Sequence, residues 1–141
     1  MKIMIDLNVI LDVVQKREPH FGASAKVLAL AVQKEINACI PSHCLTTMHY
    51  IIEKHANTKT ANKAIDWILS KLQVQPENER EFLRARSLPM TDFEDAVVVA
   101  TAESSECTSI ITRNVTDFIK SPIPAMTPEE FLAILPDSKS L

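Results

Sequence analysis

Three short apolar runs, set apart by stretches of helical periodicity, constrain what this chain can fold into. "KIMID", "INACIP" (closed by Pro41) and "TSIITRN" read as buried strands. "SAKVLALAVQKE", "LTTMHYIIEKH" and "TKTANKAIDWILSKLQ" read as helices. In the last of these Ala61, Ala64, Ile65, Ile68, Leu69 and Leu72 fall on one stripe. "VQP" reads as a short third strand, and "ENEREFLRARSL" as a charged surface helix that ends near Pro89. Ser42 is the expected N-cap of the second helix. Thr91 and Glu94 form an expected capping box for "TDFEDAVVVATAESSE". Thr127, Pro128 and Glu130 open a final helix in "AMTPEEFLAIL". Strands alternating with helices predict βαβ units and a parallel sheet covered on both faces, an α/β fold. Residues 1–136 are read as one domain and 137–141 as a C-terminal tail.

Composition removes several function classes. The 141 residues are 46% hydrophobic, enough for a real core, and carry a net charge of −3. That balance argues against a generally basic nucleic-acid coat and leaves room for a local basic patch. Gly22 is the one glycine, so no glycine-rich phosphate loop exists. Cys39, Cys44 and Cys107 lack CxxC spacing and are expected to be reduced thiols of a cytosolic protein. The four histidines show no zinc-ligand spacing. Asp6 and Asp12 interrupt the N-terminal apolar run, which is therefore not read as a signal peptide. No stretch reaches transmembrane length without charges.

The acids hold the functional signal. A carboxylate is costly to bury unless it is paired, hydrogen-bonded or bound to metal, and Asp6 sits where the first strand ends. Asp92 and Asp95 lie three apart at the start of a helix. Asn114 and Asp117 stand in the loop "TRNVTDF" that follows a later strand. A parallel sheet returns every strand end to one edge, where ligands of open α/β sheets bind. These places can therefore converge although they are far apart in sequence. Oxygen ligands without histidine or thiol favour Mg²⁺ or Mn²⁺, and such a site suits phosphodiester hydrolysis. Lys16, Arg17 and Arg113 are candidate phosphate contacts.

"IDLNVILDVV", "DFEDAVVVATAE" and "IITRNVTDF", in this order, resemble the PIN-domain nucleases, and "MTPEEFLAIL" is also typical of them. The branch they resemble comprises small stand-alone bacterial PIN proteins related to VapC-type toxins. The resemblance implies a three-layer α/β/α sandwich around a parallel sheet and metal-dependent endoribonuclease activity on RNA. It matches Asp6 to the first family acid, Asp95 to the acid opening the "DAxxxATA" helix, and Asn114 and Asp117 to the loop's polar pair. Asp6, Asp95 and Asp117 would be catalytic, with Asn114 and Asp92 completing the metal ligands. Asn8 and Thr112 are supporting residues. The resemblance also implies a cytoplasmic homodimer, an antitoxin partner and no membrane association. One feature departs from the pattern: many members carry a glutamate early in the helix after strand two, where this chain has Thr47 and Met48. Asp92 is the expected replacement. The alternative is a PIN scaffold that binds RNA or a protein without cleaving. A haloacid-dehalogenase-like phosphatase is disfavoured, because "DLNVI" has Asn8 where that family carries a second acid.

Overall fold

The computed structural model describes residues 1–136; the tail expected at 137–141 lies outside the described residues. The chain runs β1 (Lys2–Ile5), α1 (Leu7–Val14), α2 (Phe21–Val32), β2 (Asn37–Pro41), α3 (Cys44–His55), α4 (Thr58–Lys71), β3 (Gln73–Gln75) and α5 (Glu79–Ser87). It continues with α6 (Phe93–Ser104), β4 (Ser109–Ile111), a 3₁₀ turn (Val115–Phe118), β5 (Ala125–Met126) and α7 (Pro128–Ile134). The five strands lie in the order β3-β2-β1-β4-β5 and every pairing is parallel.

Alternation along the strands splits the core into two layers. Ile3 and Ile5 of β1, Ile40 of β2 and Ile111 of β4 pack with α1, α2, α3, α4 and α7, around the buried Phe131. Met4, Cys39 and Ile110 point the other way, onto Ala85 of α5 and the Ala96–Val99 stretch of α6. Successive strand residues face opposite sides of a sheet. With helices on both sides, the inner positions of β1, β2 and β4 are apolar on both faces, which is why these strands read as short runs. The expected three-layer α/β/α architecture is the one observed.

Three local readings are corrected. α1 follows β1 after one residue, where only a strand was read. Leu7, Val9, Ile10 and Leu11 are all buried; the helical signal lies in Asn8 and Asp12, four apart on one side, but two polar residues in so short an apolar run read equally as breaks in a strand. α6 begins one residue later than expected. Asp92, not Thr91, is its N-cap and accepts the Asp95 N–H at 2.9 Å, which breaks the Thr91–Glu94 box. Ser42 does not cap α3. Its N–H donates to the Gln75 carbonyl at 2.9 Å, which keeps it in the sheet. His43 takes the cap position with no side-chain cap bond, and its N–H is met instead by the Glu77 carboxylate at 2.7 Å. The two-residue β5 was not read in advance. The Thr127–Pro128–Glu130 start of α7 forms as expected, with the capping box closed.

Candidate metal centre

β1 ends at Ile5, and Asp6 turns the chain directly into α1. Asp6 Oδ1 accepts the Leu7 N–H at 2.8 Å, so the residue that stops the strand also caps the helix. Its own N–H donates to the Ile111 carbonyl at 2.9 Å, which fixes it beside the end of β4. Thr112, the residue that follows β4, donates its hydroxyl to Asp6 Oδ2 at 2.9 Å. The same hydroxyl oxygen accepts from Asn8 Nδ2 at 3.2 Å and from the Asn114 N–H at 3.1 Å. Asn8 Nδ2 also lies 3.3 Å from Asp6 Oδ2, and Asn8 Oδ1 accepts the Arg113 N–H at 3.2 Å. Asn8 and Thr112 are thus brought together with Asp6 in one hydrogen-bonded group. Thr112 is the hub: it holds one Asp6 oxygen and positions the loop that carries Asn114. Thr112→Val keeps the shape and removes the three bonds of that hydroxyl. It is expected to weaken divalent-cation binding at this edge about tenfold, measured by Mn²⁺ titration beside unchanged circular dichroism.

Asp95 and Asp117 line one open cleft of about 550 Å³, together with Asp92, Met90, Ile119 and Lys120. Asp117 sits in the 3₁₀ turn, its N–H bonded to the Asn114 carbonyl at 3.0 Å. Asp6 is 8% exposed and does not line the cleft, yet its charge reaches Asp95. Burial, then the charges of Asp92, Asp6, Asp117 and Glu94, push the Asp95 carboxyl up to about 7. Burial also raises Asp6; the Thr112 and Leu7 hydrogen bonds oppose the rise, Glu94 adds to it and His43 offsets it. The sheet edge therefore gathers negative charge that disfavours its own ionisation. Among the described residues, no three acids, histidines or cysteines stand at mutual ligand spacing. This is an open edge of separate carboxylates, not a closed cage.

Other expected residues lie elsewhere. Arg113 Nε stands 2.8 Å from Oδ2 of Asp12, which is fully buried, close in distance though off-line as a hydrogen bond. Ser24 Oγ donates to the same oxygen at 3.1 Å. Arg113 is thus held along α1. Lys16 and Arg17 lie past the far end of that helix, whose eight residues rise about 12 Å from Asp6. Arg17 lines a separate groove with Val14, Ile52 and His55. Met48 is buried in the core, and no acid takes its place on α3. Three residues of the edge were not singled out by sequence. Lys120 is a cation lining the acidic cleft, Glu94 was read only as a cap partner, and Glu77 meets His43 across 34 residues. Nothing in their spacing marks them.

A parallel α/β/α sandwich with carboxylates gathered at its strand ends defines a class of single-domain proteins. The family model described as PIN domain matches residues 2–116. The chain belongs to the PIN-domain family. It is 25% identical over 135 residues to Ribonuclease VapC1 of Aquifex aeolicus, spanning 92% of each chain. Solved structures of similar fold include VapBC2 from Rickettsia felis bound to a DNA fragment from its promoter. There the TM-score is 0.73 and the identity 18%, over 90% of this chain and 98% of the other. DNA-bound VapBC from Salmonella typhimurium gives a TM-score of 0.71 at 19% identity, over 91% and 98%.

Proposed function

We propose that this PIN-domain protein is a cytoplasmic, metal-dependent endoribonuclease, the toxin of a toxin–antitoxin pair. The observation that carries the reading is the open cleft lined by Asp92, Asp95 and Asp117 at the strand ends, where burial and the charges of Asp92, Asp6, Asp117 and Glu94 push the Asp95 carboxyl up to about 7. Such an edge calls for a cation, and a donor set made of oxygens suits Mg²⁺ or Mn²⁺. Mg²⁺ is commonly held by one or two carboxylates plus waters and substrate phosphate, so an open edge fits it. The similarity to Ribonuclease VapC1 supports RNA as the substrate. The VapBC complexes among the structural relatives support an antitoxin partner. By family resemblance the toxin is a homodimer. Among the described residues no helix is long and apolar enough to cross a membrane.

In this reading Asp6, Asp95 and Asp117 hold the cation, with Asn114 and Asp92 at its margin. A bound Mg²⁺ or Mn²⁺ supplies neutralisation of the phosphoryl oxygens and a nucleophilic water near neutral pH. The chain's own contribution is orientation. Leu7, Asn8 and Thr112 donors aim the Asp6 carboxylate, and Asp92 keeps the Asp95 backbone at the helix start. Lys120, in the cleft, is better placed for the substrate phosphate than Lys16, Arg17 or the paired Arg113.

A second reading, a scaffold that binds RNA or its antitoxin without cleaving, is favoured by the absence of an acid at Thr47 and Met48. Incubation of labelled single-stranded and hairpin RNAs with Mn²⁺, Mg²⁺ or EDTA separates the two. Cuts that appear with metal and stop with EDTA are expected. RNA binding indifferent to EDTA, with no cuts, would sink the enzyme reading in favour of the binder.

A further inference from the structure

Cys39 and Cys107 take no part in the acidic edge, yet they meet. Cys39 is the middle residue of β2 and points toward α6. Cys107 stands in the turn between α6 and β4. The two are 68 residues apart in sequence, and their Sγ atoms are 3.6 Å apart. The backbone holds this contact from both sides. The Cys107 N–H donates to the Ala102 carbonyl at 2.8 Å, and the Thr108 N–H donates to the Lys2 carbonyl at 2.8 Å, which ties the turn to β1. Glu106, just before Cys107, has φ 62°, the left-handed position that commonly ends a helix. Cys39 Sγ lies 4.0 Å from Met4 Sδ. β1 runs between β2 and β4, so the sulfur contact crosses the face of the middle strand.

A single buried cysteine is ordinarily a small apolar filler, and Cys44 fits that account in the opposite core layer. Two thiols in contact have a further chemistry. They need only close from 3.6 Å to about 2.05 Å to be bonded. The pair is also unequal. Cys107 is 7% exposed and Cys39 1%, so a small solute reaches Cys107 first. The contact with Cys39 holds the Cys107 thiol below its ordinary range; burial opposes this, while Ser105 Oγ, 3.4 Å away, and the Lys2 charge assist. The same contact, with burial, pushes the Cys39 thiol up. The thiolate is the reactive form of cysteine, and it falls on the sulfur nearer to solvent.

We infer that Cys39 and Cys107 are a redox-modification site, a dithiol that a peroxide closes to an intramolecular disulfide latching β2 to the turn that enters β4. The Cys107 thiolate attacks one peroxide oxygen. The O–O bond breaks, a sulfenic acid forms on Cys107, and the departing hydroxide takes up the proton that Cys107 had released. The Cys39 sulfur then attacks the sulfenic sulfur. The S–S bond forms, the S–O bond breaks, and the Cys39 thiol proton leaves with the hydroxide as water. The two thiols lose two electrons, and the peroxide gains them. Disulfides of this kind in a reducing compartment are transient and redox-sensing. The latch needs no metal and touches none of Asp6, Asp95 or Asp117.

The test exposes the reduced, folded, metal-free full chain to hydrogen peroxide. Remaining thiols are then blocked with N-ethylmaleimide in denaturant, and the peptides are mapped by mass. A linked Cys39–Cys107 peptide is expected, with Cys44 blocked as a free thiol and dithiothreitol reversing the link. The oxidised protein is expected to melt about 5 °C above the reduced one, because the link constrains the unfolded chain. Cys39→Ala is expected to stop at a dimedone-reactive sulfenic acid on Cys107, and Cys44→Ala to link as wild type does. Should Cys39→Ala fold poorly, the wild-type peptide map decides alone. All three cysteines recovered as free thiols, a link through Cys44, a link between two chains, or a Cys39–Cys107 link that forms only in denaturant would each overturn the inference. An oxidised protein that melts at or below the reduced one would overturn the latch.

Discussion

Asp95→Asn is expected to abolish RNA cleavage and, at the same time, to make the metal-free protein more stable above pH 7. The loss should be about a thousandfold or more, as for removal of a group that acts with others at a reacting centre. The gain follows from the proton balance. In the unfolded chain Asp95 ionises near pH 4; in the fold its carboxyl is raised to about 7. Between those values the native state holds a proton that the unfolded state has released. The wild-type contribution is therefore fully favourable below about pH 4 and is lost as pH rises to about 7. Because Asp95 is only half-buried, solvent screening leaves about 1 kcal/mol of this effect, or about 3 °C in melting temperature at pH 8. Thermal melts of wild type and variant from pH 4 to 8, with and without Mn²⁺, check it. Mn²⁺ should raise the wild type and leave the variant unmoved. A variant that cuts RNA normally, or one that is no more stable at pH 8, would contradict the assignment of Asp95.

The largest stability effect is expected at Asp12, which lies in "IDLNVILDVV" but was given no role at the site. Its carboxylate is fully buried, with Ser24 Oγ at 3.1 Å and Arg113 Nε at 2.8 Å on one oxygen. Its other oxygen has no partner. Removing one member of such a pair leaves the other uncompensated, so Asp12→Ala should cost about 3 kcal/mol. That is a large share of the roughly 5–15 kcal/mol by which domains are stable. Replacing both partners, as Asp12→Leu with Arg113→Met, should restore most of the loss, since apolar side chains carry no desolvation penalty. Urea denaturation of the three proteins decides the matter. A cost below about 1 kcal/mol in Asp12→Ala would mean that Arg113 simply turns to solvent.

How much of this was legible in the sequence varies with the range of the interaction. The central strands β1, β2 and β4 were legible because their inner positions are apolar on both faces, and α7 because its cap, proline and glutamate are local. Asp6, Asp95 and Asp117 could be singled out as acids at strand and helix ends, where parallel topology gathers residues. α1 was hidden because it follows β1 after one residue and continues its apolar run; only Asn8 and Asp12, four apart, carry its helical period. Asp12 reads as a polar break in an apolar run, and only Arg113, far along the chain, explains why it is buried. His43 and Glu77 were passed over for a related reason. The expected cap was Ser42, but a hydrogen bond to the neighbouring strand outweighs a local cap. The donor at the start of α3 is then met by a carboxylate 34 residues away. Asp92 against Thr91 was a choice between two adjacent capping residues, decided by which oxygen reaches Asp95.

The bond from Thr112 to Asp6 spans 106 residues. β1 is made first, but its carboxylate is aimed by a hydroxyl near the end of the chain. A nascent polypeptide that has formed β1, β2 and the helices between them still lacks the group that orients Asp6. Pairings of such long sequence separation form slowly, because loop-closure entropy must be overcome before they are rewarded. The acidic edge is therefore among the last parts of the molecule to mature. A chain still emerging during synthesis, or one cut short before residue 112, carries Asp6, Asp92 and Asp95 but neither Thr112 nor Asp117, and its acidic edge is unfinished.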